Sequence, residues 1–387
     1  MPSYYRLGDV PRKRHVQFRL PDGHLAAEEV FGAEGFSGNY SILYHVALPP
    51  QARRIEAHGS AKAVAWTSAE HRHYHLRTAR LDAPGNPIDG RVPLMFNDDV
   101  TICLATPTEP QPFFYKNGTH DELLYVHEGK GVLATQFGTL SFQPGDYLYV
   151  PRGTISLLRL DGDRGRLLVV EAAGQIDTPK RYRNPHGQLL EHAPYWERDF
   201  RKPEALETHR ETGEGSFAIR LKIGTDLHCY YVDHHPFDVI GWDGYLYPYA
   251  FSIHDFEPRA GRVHLPPPTH QTFEGPGLVV CSFCPRRLDW DDQAIPVPYH
   301  HSNIDSDEMI YYVDGDYSAR KVEVGSITLH PRGWPHGPSA GAAEASLARP
   351  RETNELAVMV DTFRPLHLAA AAAEIDDVAY LRSWDTA

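Results

Sequence analysis

The chain has 387 residues, 41% of them hydrophobic, with a formal net charge of −13. That is enough apolar material for two domains or one double-barrel unit with an ample core. The acidic balance speaks against nucleic acid or an anionic membrane as partner, since both require basic patches. No apolar run approaches the length of a membrane span.

From the N-terminus, residues 1–6 show no apolar targeting segment. The four cysteines, Cys103, Cys229, Cys281 and Cys284, form no spaced framework, so a reducing, cytoplasmic setting is expected. Cys281 and Cys284 make a lone CxxC. On a strand, positions i and i+3 face opposite sides, which argues against zinc or redox use. Short alternating runs rich in β-branched and aromatic residues occur at 40–48, 123–126, 131–137, 139–142, 147–150 and 166–171, each bounded by turn residues. They predict an all-β sandwich or barrel. Residues 1–100 read as an N-terminal β region and 101–175 as a first barrel. The polar, Pro-, Tyr- and His-rich stretch 176–240 reads as a connector, and 241–365 as a second barrel. The last segment, 366–387, reads as a helical tail, with its clearest helix pattern at about 367–383.

The two barrel segments look like copies of one module. Asp121-Glu122 precedes an apolar run ending at Gly129, and Pro151-Arg152-Gly153 follows, with Ser156 three residues on. Asp307-Glu308 precedes a run ending at Gly315, and Pro331-Arg332-Gly333 follows, with His336 three residues on. Histidine is over-represented, at 23, and many lie between 228 and 336. The pattern His301, Asn303, Glu308, six residues, Gly315, then Pro331-x-Gly333-x-x-His336 matches the two-part signature of a cupin barrel, with Asn303 in place of the second histidine. The expected fold is therefore mainly β, a bicupin-type pair of cupin-like barrels. Two imidazoles and a carboxylate on one face of an octahedron leave three positions open and suit Fe(II). The candidate ligands are His301, Glu308 and His336. His300 competes with His301, and alternation lets only one reach the metal; His301 is preferred because it stands two residues before Asn303. The first copy keeps Glu122 but carries Asn117, Thr119 and Ser156 where imidazoles would be needed, so it reads as structural.

Residues 238–249, 298–303 and 326–338 resemble segments of the homogentisate 1,2-dioxygenases, as do residues 27–32, 44–49 and 355–362 more loosely. The resemblance implies ring opening of homogentisate by O₂ at non-haem Fe(II), giving 4-maleylacetoacetate in tyrosine and phenylalanine breakdown. It carries the iron ligands onto His301, Glu308 and His336. His330 corresponds to a family histidine near the substrate and is the expected proton acceptor, since imidazole titrates close to working pH. Tyr317 matches a family active-site tyrosine that would hydrogen-bond substrate. His264 lies in a stretch that resembles the family's active-site loop and is a second candidate base. The implied partners are a small aromatic substrate, O₂ and further copies of the chain in a homo-oligomer, with neither nucleic acid nor membrane. Another hydroquinone acid such as gentisate, or a non-enzymatic ligand-binding bicupin, are the competing readings.

Overall fold

The computed structural model describes residues 3–49, 51–317, 320 and 322–385. Strands dominate, and they build two barrels packed back to back. In the first barrel an eight-stranded sheet carries Asp146–Val150, Asp121–Glu128, Arg166–Ala172 and Val100–Ala105 side by side. A seven-stranded sheet opposes it, with Gly131–Thr135, Ser156–Leu160 and Phe114–Asn117 adjacent. The second barrel is built on a six-stranded sheet in the order Gln271–Gly275, Leu278–Phe283, Leu356–Thr362, Asp307–Asp314, Ile327–His330, Tyr74–Leu76. Two short ribbons complete it, Arg286–Arg287 with Glu352–Thr353 and His301–Ser302 with Pro335–His336.

Period-2 alternation decides which side chains meet. Along Asp307–Asp314, Met309, Tyr311 and Val313 enter the large core between the barrels, while Ile310 and Tyr312 face the interior of the second barrel. Along Leu356–Thr362, Leu356, Val358 and Val360 join the inter-barrel core, and Ala357 and Met359 face inward. Glu308 and Asp361 continue the inward-facing series, so the same alternation that buries the core aims both carboxyls into the barrel. Each fully buried aliphatic on the other face contributes about 1.5–3 kcal/mol, which fixes the register. The first barrel repeats the arrangement: Leu123 and Tyr125 face the shared core, Leu124 and Val126 the barrel interior. The CxxC pair obeys the rule as well. Cys281 lies in the second barrel and Cys284 in the shared core, both thiols free.

Three features differ from the expectations. The strands of residues 1–100 do not form one region but are shared among four sheets. Tyr5–Gly8, Ala27–Gly32 and Tyr40–His45 form a sheet with Val239–Gly244, but Ala52–Ser60, Tyr74–Leu76 and Val92–Phe96 each extend a barrel sheet. The 176–240 stretch is more than a connector, because Thr212–Ile223 and Asp226–His234 pair as a long hairpin in the seven-stranded sheet. The tail is not an α-helix. It comprises the strand His367–Leu368 and two 3₁₀ segments, Ala370–Ile375 and Val378–Arg382. Arg77 N–H donates to the Ile375 carbonyl and Asp377 N–H to the His75 carbonyl, both at 2.8 Å. Backbone groups that a helix would bond internally are thus spent on the neighbouring strand. Among the described residues, no helix is long and apolar enough to cross a membrane.

Candidate metal centre

Two cross-strand pairs assemble the site. Glu308 lies opposite His330 in the sheet and opposite Asp361 on its other side. His301 lies opposite His336 on the short ribbon. Directly opposed residues share a face, so all these side chains converge. The Pro331-Arg332-Gly333 turn that returns His336 is pinned by Asp307, whose Oδ1 accepts from both Arg332 N and Nε at 2.9 Å. Gly333 N–H donates to the Asn303 carbonyl at 3.1 Å, tying the turn to the ribbon that carries His301.

His301, Glu308 and His336 bring one potential ligand atom each within 4.8 Å of the others. His301 Nδ1 donates to the Tyr299 carbonyl at 3.4 Å, and His336 Nδ1 to the Trp334 carbonyl at 3.5 Å. Both rings then turn Nε2 toward Glu308, at 3.7 Å from Oε2 and 3.3 Å from Oε1 respectively. A backbone carbonyl on the far nitrogen is the usual way a protein orients a metal-binding imidazole. His336 Nε2 is buried and has no well-directed hydrogen bond, and Asp361 Oδ1 is buried without a partner. Burial works to raise the pKa of Glu308, but His301, His330 and His336 outweigh it and hold the carboxylate well below its ordinary range. Glu308 in turn raises His301. Asp361 is driven the other way, well above the usual carboxylate range, first by burial and then by the Glu308 charge.

The first barrel is the internal control. Glu122 there lies opposite Glu171, as Glu308 lies opposite Asp361, and Ser156 lies opposite Tyr115, as His336 lies opposite His301. Tyr115, rather than Asn117 or Thr119, thus occupies the place of the first imidazole; Asn117 instead donates to Glu122 Oε1 at 3.1 Å. A guanidinium fills the centre. Arg91 Nη1 reaches Glu122 Oε1 at 2.8 Å and Glu171 Oε1 at 3.0 Å, and Nη2 reaches Glu122 Oε2 at 3.0 Å. Lys222 pairs with Glu171 Oε2. A buried carboxylate that stays ionised requires a compensating partner. The first barrel supplies its own, whereas the second offers imidazoles, a carboxylate and two unpartnered ligand-type atoms. That donor set fits a divalent transition metal.

The remaining predicted residues separate. His300 turns away, its Nε2 on the Pro338 carbonyl at 3.0 Å. His330 lies against the site with both nitrogens engaged, Nδ1 on Glu308 Oε1 and Nε2 on the Tyr380 hydroxyl, each at 2.9 Å. Burial lowers its pKa, although Glu308 opposes the shift. Tyr317 lines the cavity, but its hydroxyl is donated to the Leu356 carbonyl. His264 is the correction: it packs behind Tyr299, ring centroids 4.7 Å apart, and does not line the cavity among the described residues. Sequence reasoning missed Asp361, Tyr380 and His73. His73 sits with its ring 5.4 Å from His330 and 5.9 Å from His336, and burial pushes its pKa down to about 4. The alternation of His71, His73 and His75 was its only local signal; partners so distant in sequence gave none.

A cavity of about 230 Å³ opens over His301, Glu308, His330 and His336. Its walls are largely apolar, including Phe283, Leu288, Pro296, Val297, Ile310 and Met359, with Arg286, Arg320 and Glu355 among the polar groups. Arg286 Nη2 meets Glu355 Oε1 at 2.9 Å and Arg320 Nη2 lies 3.9 Å from Oε2. Both guanidiniums are thus directed at Glu355, and Arg349, Asp316 and Glu352 line the same cavity.

Residues 103–253 match the family model "Homogentisate 1,2-dioxygenase N-terminal" and 269–387 its C-terminal counterpart. The curated protein "Putative dioxygenase SSO1533" of Saccharolobus solfataricus is 41% identical over 389 residues, covering 100% of both chains. Among solved structures, a cupin 2 conserved barrel domain protein from Leptotrichia buccalis aligns at 12% identity and TM-score 0.35, covering 79% of this chain and 97% of its own. The 11S allergen from Cocos nucifera aligns at 12% identity and TM-score 0.33, covering 78% and 92%.

Proposed function

The chain belongs to the homogentisate 1,2-dioxygenase family of dioxygenases, and from that premise we propose that it opens the ring of homogentisate with O₂, using Fe(II) held by His301, Glu308 and His336, to give 4-maleylacetoacetate. The observation that carries the metal assignment is the pair of imidazoles whose Nε2 atoms face Glu308 while their Nδ1 atoms are tied to backbone carbonyls. Fe(II) in that triad would supply Lewis acidity, lowering the pKa of a bound phenol, and reactivity toward O₂ at the positions left open.

The chain's own residues do the rest. The apolar walls exclude water and suit an aromatic ring. Arg286 and Arg320 border the cavity and would receive the acetate carboxylate of the substrate, since Arg pairs with carboxylates in a forked geometry. His330 and Tyr380 lie along one wall and provide a hydrogen-bonded path for the phenolic proton. We place the protein in the cytoplasm, as a homo-oligomer acting in tyrosine and phenylalanine catabolism.

The test is oxygen uptake with homogentisate by protein reconstituted anaerobically with Fe(II), with product followed by near-ultraviolet absorbance. Uptake should match product formation and vanish in His336→Ala. Stoichiometric iron without uptake would point to another hydroquinone acid such as gentisate. Failure to bind iron would remove the dioxygenase reading and leave a ligand-binding bicupin.

A further inference from the structure

The C-terminal segment crosses the mouth of the second barrel. Asp376 pairs with Arg72, and Asp377 Oδ2 takes Arg77 Nη2 at 2.8 Å and His75 Nδ1 at 3.1 Å. Trp384 Nε1 donates to the Gly337 carbonyl at 3.2 Å, one residue beyond His336. These contacts press Tyr380 against the site, where it is 5% exposed and lines the cavity.

The hydrogen-bond directions follow from chemistry. A carboxylate only accepts, so His330 Nδ1 carries the hydrogen toward Glu308 Oε1. In the neutral ring Nε2 is then a bare acceptor, and the Tyr380 hydroxyl must donate to it at 2.9 Å. The chain runs from Tyr380 O–H to His330 Nε2, then from His330 Nδ1–H to Glu308. His330 has no lone pair free for a ligand, while the Tyr380 oxygen keeps its own acceptor capacity and borders the cavity.

We infer that Tyr380 is a positioning residue for the ring-cleavage reaction: its hydroxyl fixes the tautomer and orientation of His330. This rests on the proposed reaction for its consequence, but the hydrogen-bond chain is testable without turnover.

Two measurements on Tyr380→Phe decide it. The first is ¹⁵N NMR of histidine-labelled full-length protein loaded with Zn(II) as a diamagnetic probe. The wild type should show His330 with hydrogen on Nδ1 and a hydrogen-bonded bare Nε2; the variant should move the Nε2 resonance toward that of a free acceptor and leave His301 and His336 in place. The second is steady-state kinetics of the Fe(II) enzyme. Tyr380 stands one hydrogen bond beyond His330, itself the outer partner of the ligand Glu308, so the loss should reach about tenfold, the low end for such partners, and fall on kcat, with KM within about threefold and iron content unchanged. Hydrogen on Nε2 of wild-type His330, or an unmoved resonance in the variant, would overturn the inference. So would a loss confined to melting temperature. Wild-type protein that shows the expected NMR tautomer but does not turn over homogentisate would count against the substrate and leave the chain of hydrogen bonds standing.

Discussion

Replacing Arg91 with Leu tests whether the first barrel's centre is a built-in cation. The substitution removes a guanidinium that makes three hydrogen bonds of 2.8–3.0 Å to Glu122 and Glu171. The Arg91 side chain is 8% exposed and its partners 5% and 3%, so water cannot take over its role. Breaking a buried pair from one side costs about 3–5 kcal/mol, because a buried charge is left uncompensated. At about 2.1 cal/mol/K per residue, a chain of this length unfolding cooperatively loses about 4–6 °C in Tm for that cost. The pH dependence has a definite sign. In the wild type, burial works to raise the pKa of Glu122, and Arg91 outweighs it, so the value is lowered. That stabilisation is present above the unfolded pKa of about 4.3 and is lost as pH falls through the folded value. In the variant, burial acts against Lys222 and the Asn117 and Tyr115 hydrogen bonds without the guanidinium, the native pKa rises, and stability is lost as pH rises instead. Calorimetry should therefore find the deficit of the variant largest near pH 8 and smallest near pH 5. A Tm within about 1 °C of wild type, or a deficit equal at both pH values, would refute the argument. Metal content should remain one ion per chain, because the second barrel is untouched.

His301→Ala should abolish stoichiometric iron binding and His300→Ala should preserve it, as read by elemental analysis after desalting; equal loss in both would sink the assignment of His301. In Gly337→Ala the new Cβ would come within 2.9 Å of His300 Cα and Cδ2, displacing the strand that carries His301, so iron affinity should fall about tenfold or more in competition with a chelator. Asp361→Asn should stabilise the metal-free protein above about pH 5. A carboxyl with a raised folded pKa contributes stability below its unfolded pKa, about 3.9, that is lost as pH rises through the folded value, and the amide removes that loss; a variant curve parallel to wild type in a Tm-versus-pH series would contradict the raised pKa. Dialysis against a chelator should lower Tm and iron should restore it, since an ion that binds only the folded state adds stability by mass action.

Local sequence determined a good deal of this protein. Alternation and turn residues announced strands, and the repeated Asp-Glu…Gly…Pro-Arg-Gly pattern announced two copies of one module. The spacing of His301, Glu308 and His336 singled out three side chains that lie together, because a hairpin and a tight turn are short-range devices whose geometry follows from their own residues. What the sequence left open depended on contacts across hundreds of residues. Arg91, before the first barrel, becomes its internal cation. His73, just ahead of the strand Tyr74–Leu76, packs beside His336. Tyr380, in a tail whose alanines suggested a helix, is drawn over the second barrel by Arg72 and Arg77 and set on His330. Glu122 and Glu308 occupy equivalent places in similarly patterned local sequence; whether a guanidinium or a metal-type donor set surrounds each was decided by the strands the tertiary fold brought alongside.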